Sequence, residues 1–240
     1  MVENNHYEWT PYAYVYNNPV ALIDPFGLDS IYAKNFWGKV NYIGNDGKDD
    51  GNVYLVKGGA KNGVKNATEN GVDFTGNLSE SDEVVHIPTG GVMDDVISSV
   101  DATYKSQKEN GGHVNKGDAN ATRWDEGSPA KEVKDAEGNV IGAKASISPF
   151  VIGGTQSIPA DASNIDTYWH VHPNTKVGGL SLGSSTPSAA DKFFQGTMQS
   201  RGFSGNAFVV GVRTNTVTFY NSQKSIITIK YQDFRRIGGR

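Results

Sequence analysis

The sequence predicts a mixed α/β domain, of the α+β kind, in which short strands outnumber helices. Three observations predict it. Short runs rich in β-branched and aromatic residues recur along the chain, at 53–56, 83–87, 165–172, 206–213, 216–220 and 225–231. Two stretches, 94–109 and 186–199, read as helices, the first by apolar spacing and the second by its opening residues. The 29 glycines among 240 residues favour turns and long loops over a helical bundle.

Residues 7–28 are aromatic-rich, with an alternating strand at 12–16 and turn signals at Asn17-Asn18-Pro19 and Asp24-Pro25-Phe26-Gly27. Residues 31–76 are polar and glycine-rich, and read as hairpins and loops. In 94–109, Val96, Ile97, Val100 and Tyr104 recur at helical spacing, with Asn110-Gly111-Gly112 as the stop. Strand candidates at 120–126 and 130–133 flank Gly127-Ser128-Pro129. The turn Asp135-Ala136-Glu137-Gly138-Asn139 leads into 140–147 as a hairpin. Thr186 is the expected N-cap of the second helix, with Pro187 at its first position. A last hairpin turns over Thr214-Asn215.

Net charge is −4 and the isoelectric point about 5.7, which lacks the basic footprint of a nucleic-acid binder. The chain has no cysteine, which excludes a disulfide framework, a thiolate zinc knuckle and a thiol nucleophile. No apolar run approaches the ~18–20 residues that span a bilayer. Residues 1–6 are polar, with no signal-peptide core. Asp46 with Asp49-Asp50, and Asp94-Asp95, lack the alternating ligands of a calcium loop and read as solvated loops or caps.

Chemistry concentrates around two of the five histidines, His170 and His172, which fall within one tripeptide. On a strand, residues i and i+2 share a face, so both imidazoles can reach one ion. Pro173 then ends the strand. A hydrolytic zinc site needs three protein ligands and an open fourth position. Asp191 is the expected third ligand, one helical turn after Ser188 near a helix N-terminus that favours negative charge. Glu126, at the end of a strand candidate and before Gly127, is the expected general base. Glu83 and Glu132 are the reserves, and a plain turn position is the other reading of Glu126.

Two resemblances extend this reading. Tyr-Ala-Tyr-Val-Tyr-Asn-Asn-Pro, followed by Asp-Pro-Phe-Gly-Leu, resembles the end of the core of RHS/YD-repeat proteins, over residues 7–29. Those are large secreted or surface-delivered shells that carry a variable toxin domain after this junction. The resemblance implies two parts: an RHS-core remnant over 1–29, and a toxin domain over 30–240. Asp24 would lie in an autoproteolytic motif cut after Leu28. It also implies secretion or delivery into a target cell within a larger protein, and a cognate immunity protein.

The second resemblance lies at 120–211. His170-Val171-His172-Pro173, then Ser188-Ala189-Ala190-Asp191, is similar to the JAB/JAMM (MPN) metallopeptidase motif, a branch of which forms toxin tips. It implies a mixed sheet flanked by helices with a cytidine-deaminase-like core. It further implies Zn2+ on His170, His172 and Asp191, water activation by Glu126, and oxyanion stabilisation by Ser188. The expected substrate is a protein or peptide, including ubiquitin-like conjugates. Eighteen residues separate His172 from Asp191 where the family has ten, the excess falling in a Gly/Ser-rich stretch at 174–185. That excursion is either a lid or flap beside an intact site, or the mark of an inactive copy. A metal-dependent nuclease toxin and an inactive binding domain of the same fold are the alternative functions.

Overall fold

The structure, a computed structural model, describes residues 30–45, 51–57 and 84–239. The strand expected at 12–16, the junction at 24–29 and Glu83 lie outside the described residues. Strands β1 (Ser30–Lys34), β2 (Val40–Asn45), β3 (Val53–Val56) and β4 (Val84–Ile87) form one sheet in the order β2-β1-β3-β4, with β1 and β3 parallel. Helix α1 (Gly90–Ser106) leads to β5 (Asn110–Asn115) and β6 (Thr122–Arg123). Strands β7 (Ser128–Lys134) and β8 (Val140–Ser146) make a separate antiparallel hairpin over the expected turn, and β9 (Val151–Ile152) and β10 (Thr155–Gln156) a small second one.

The second half builds the centre. Strand β11 (Ile165–His172) is followed by a two-stranded excursion, β12 (Lys176–Val177) and β13 (Leu180–Ser181), then helix α2 (Ala189–Ser200). Strands β14 (Asn206–Gly211), β15 (Thr216–Tyr220) and β16 (Ser225–Lys230) and helix α3 (Tyr231–Ile237) complete the described chain. The main sheet has the order β16-β15-β14-β11-β5-β6. Its only parallel pair is β11 with β14, and a parallel pair needs a crossover, which α2 supplies. The fold is a mixed α/β arrangement with three helices among the described residues, none long and apolar enough to cross a membrane.

Strand β11 is interior and covered on both faces, and its period of two divides its side chains between two cores. Trp169 and Val171 point into the larger core with Phe208, Val210, Val217 and Phe219, closed by Met93 and Val96 of α1 and Phe234 and Ile237 of α3. Tyr168 points into the other core, with Val209 and Tyr220 of the sheet and Met198 of α2. Each large side chain so buried stabilises the fold by about 1.5–3 kcal/mol. A register shift between Ile165 and Thr167 puts Ile165 on the Tyr168 side.

Several boundaries differ from expectation. Helix α1 begins at Gly90, where Gly91 passes so close to Asn120 that a Cβ would lie 2.3 Å from its side-chain oxygen. It ends at Ser106, with Gln107 left-handed at φ 58°, so 110–115 is a strand rather than a helix stop. Residues 120–126 hold only the two-residue β6, and Ser128-Pro129 lie inside β7. The cap of α2 is Ser188 rather than Thr186, because Ser188 and Asp191 satisfy each other's backbone N–H groups.

Candidate metal centre

Tyr168, His170 and His172 occupy the α2-facing side of β11, and Asp191 opens α2 against them. The Nε2 atoms of His170 and His172 lie 3.0 Å apart, and Asp191 Oδ1 lies 3.4 Å from His170 Nε2. One nitrogen from each histidine and one oxygen from Asp191 lie within 4.8 Å of one another, and this is the one such group of three among the described residues. Zn–N distances of ~2.0–2.1 Å imply donor separations of ~3.3 Å around a tetrahedral ion. The donors present, two imidazoles and a carboxylate, suit such an ion in kind, and the His170–His172 and His170–Asp191 separations lie close to that value.

Two of the three candidate ligands are oriented from behind. His172 Nδ1 donates to the carbonyl oxygen of Ser184 at 2.6 Å, which leaves Nε2 as the lone-pair nitrogen. The second carboxylate oxygen of Asp191 accepts from the backbone N–H of Ser188 at 2.6 Å, which turns Oδ1 toward His170. Further along the seam, the Tyr168 hydroxyl donates to Gln195, four residues after Asp191 on α2. That contact matches the strand's two-residue step against one turn of helix.

Electrostatics agree with this arrangement. Burial opposes charge on His170, yet the Asp191 and Glu109 carboxylates outweigh it and raise its pKa. Burial and then the neighbouring His170 push His172 down to about 4. Burial would raise the pKa of Asp191, but His170 holds it well below the usual carboxylate range. The Asp191 and Glu109 carboxylates thus favour positive charge at His170, beside a His172 that burial keeps from charging. A divalent ion and a proton would compete for the same imidazole nitrogen.

Of the sequence candidates, His170, His172, Asp191 and Ser188 are brought together and Glu126 is not. Glu126 Oε2 sits 2.6 Å from Lys108 Nζ, its pKa is lowered chiefly by that hydrogen bond, and it does not line the cavity over the histidines. Among the reserves, Glu132 pairs with Lys134 at 3.3 Å and packs under Gly178. The carboxylate at the site is Glu109. It is 6% exposed, its Oε1 lies 3.7 Å from His172 Nε2, and the backbone N–H of Ile147 donates to it. Burial raises its pKa above the usual glutamate value.

The signal that could have found Glu109 is the glycine pair beyond it. A Cβ on Gly111 would lie 2.4 Å from the carbonyl oxygen of Trp169, and one on Gly112 2.7 Å from that of Thr122. Paired glycines inside a strand mark close backbone approach, here of β5 to the histidine strand at Gly111 and to β6 at Gly112.

The cavity above these residues has a volume of about 590 Å³. Its lining joins the three candidate ligands and Glu109 to the rings of Trp124, Tyr168 and Phe194 and to the Ala143–Ile147 stretch. Ser188 also lines it. Its hydroxyl oxygen accepts from the Asp191 N–H at 3.1 Å, which leaves its own hydrogen to donate. Comparison with protein-family models, with curated proteins and with solved structures returned no match.

Proposed function

We propose that this chain is a zinc-dependent peptidase or isopeptidase, the effector domain of an RHS-type toxin, hydrolysing an amide bond of a protein or peptide substrate. The observation that carries the reading is the convergence of two imidazole nitrogens, one carboxylate oxygen and a separate buried carboxylate at one end of a cavity. Zinc at this site would lower the pKa of a coordinated water to about 7 and polarise the substrate carbonyl.

The chain's own groups supply the rest. Glu109, with its raised pKa, takes the proton from the attacking water and returns it to the leaving nitrogen. Its hydrogen bond from Ile147 holds the carboxylate at the His172 side of the cavity. Ser188 donates its hydroxyl hydrogen to the oxygen that becomes negative as the carbonyl is attacked. His172 stays neutral, oriented by Ser184.

A nuclease would need cationic groups for phosphate, and among the described residues Lys144 is the one cationic side chain other than the histidines that lines the cavity. Incubation of the zinc-loaded protein with peptide libraries, ubiquitin-like conjugates, DNA and RNA tests the proposal. Amide cleavage abolished by a chelator and by Glu109→Gln is the expected result. Cleavage of nucleic acid with no peptide bond cut would overturn it, and zinc binding with no cleavage would favour the inactive binding domain.

A further inference from the structure

We propose that the cleft contains a pocket for one large apolar side chain, aromatic or aliphatic, flanking the bond to be cut, with Phe194 as its principal wall. This names the substrate class of the hydrolase site proposed above and rests on that reading. Phe194 follows Asp191 by three residues on α2, so the two side chains share a face one turn apart. It is half-buried and lines the cavity, so its ring is available to whatever enters.

Around it the lining is aromatic. The Tyr168 and Phe194 rings meet edge-on at 5.7 Å, and Trp124 lies 6.3 Å from Tyr168. Ile147 and Pro149, from the chain leaving β8, face the same space. Trp124 and Tyr168 are 5% and 1% exposed, which makes this wall rigid.

The charged groups of the lining are few: Asp191 and Glu109 are held against the histidines, and Lys144 stands exposed on β8. A glycine or a charged residue placed against the aromatic wall would leave apolar surface wet or a charge poorly solvated. A leucine or phenylalanine would bury its side chain there, an advantage of about 10- to 100-fold over glycine.

The test uses N-acetyl-X-hydroxamates, with X as Gly, Asp, Lys, Leu or Phe, titrated into the zinc-loaded protein by calorimetry. Leu and Phe compounds are expected to bind at least ~10-fold more tightly than Gly, and Phe194→Ala to reduce that preference to ~3-fold or less while zinc content stays unchanged. Phe194→Leu, which keeps an apolar wall, retains most of the preference and serves where the alanine variant folds poorly. Equal affinities across the series, tightest binding of the Asp or Lys compound, or an undiminished preference in Phe194→Ala would overturn the pocket. N-acetyl-phenylalanine amide and N-acetyl-glycine amide, titrated into metal-free protein by NMR, decide the pocket separately. Selective shifts at Phe194 and Trp124 by the phenylalanine amide support it even if zinc fails to bind, which would sink the hydrolase reading alone. No shifts with either amide would overturn it.

Discussion

His172 Nδ1 lies 2.6 Å from the carbonyl oxygen of Ser184, twelve residues further along the chain. Ser184 belongs to the return leg of the excursion between His172 and Asp191. That leg is anchored: the Ser185 hydroxyl bonds Thr216 and Thr218 at 2.7 and 2.8 Å, and Gly211 runs against the Ser184–Ser185 backbone. The longer spacing therefore brings a support for the second histidine, and the part of the excursion nearest the ligands is built into the sheet.

The far part, β12 and β13, is separable from that support. Leu182 N–H already donates to the Thr175 carbonyl at 2.9 Å, so Thr175 and Leu182 are spaced to close a two-residue turn. Replacing 176–181 with Gly-Gly is expected to leave zinc affinity within ~3-fold of the parent, since each doubling of a closed loop changes its entropy by only ~0.6 kcal/mol. Competition with a chromophoric chelator measures it.

Glu109→Gln separates catalysis from metal binding. Removal of a general base is expected to lower the hydrolytic rate by about 10²–10⁴-fold with zinc still bound. It also changes the pH dependence of stability. The folded-state pKa of Glu109 is raised by burial, so its contribution is fully present below the unfolded glutamate pKa and fades as pH rises through the folded value. Thermal melts of metal-free protein should therefore show Glu109→Gln more stable than the parent at pH 7, with the advantage gone near pH 4.

Ser188→Ala removes both halves of one device. The lost cap is expected to destabilise the fold by about 1 kcal/mol, read by urea denaturation. The lost hydroxyl donor is expected to lower kcat by ~10²–10³-fold with little change in KM. A fall in stability with unchanged kcat would make Ser188 a cap and nothing more.

Gly111→Ala tests the approach of β5 to β11. With its Cβ 2.4 Å from the Trp169 carbonyl oxygen and 3.2 Å from His170 Cα, backbone must move. Overpacking of this kind costs about 1–3 kcal/mol, and the moving backbone is the one that carries His170. Urea denaturation should show that loss together with weakened zinc binding.

Legibility followed the range of the forces involved. Strand β11 could be bounded from sequence because a β-prone run meets a proline, and its period of two placed both histidines on one face. Asp191 and Ser188 were legible because their one-turn spacing at a helix start is local, although Thr186-Pro187 masked that Ser188 is the cap. Glu109 was not, because it meets His172 only through the pairing of β5 with β11, and the helical spacing of α1 ran on to it. Glu126 looked suitable in sequence, but Lys108, two residues beyond α1, takes its charge. Helix α3, seven residues long, is too short to show a period.

The proposed zinc ion rests on His170, His172 and Asp191 together. Elemental analysis of the purified protein, dialysed against zinc at neutral pH, tests it most directly. One equivalent per chain is expected, falling to a small fraction in His170→Ala, His172→Ala and Asp191→Ala while Glu126→Ala keeps it. Absence of zinc from the parent, or an equivalent that survives the three ligand substitutions, would contradict the account.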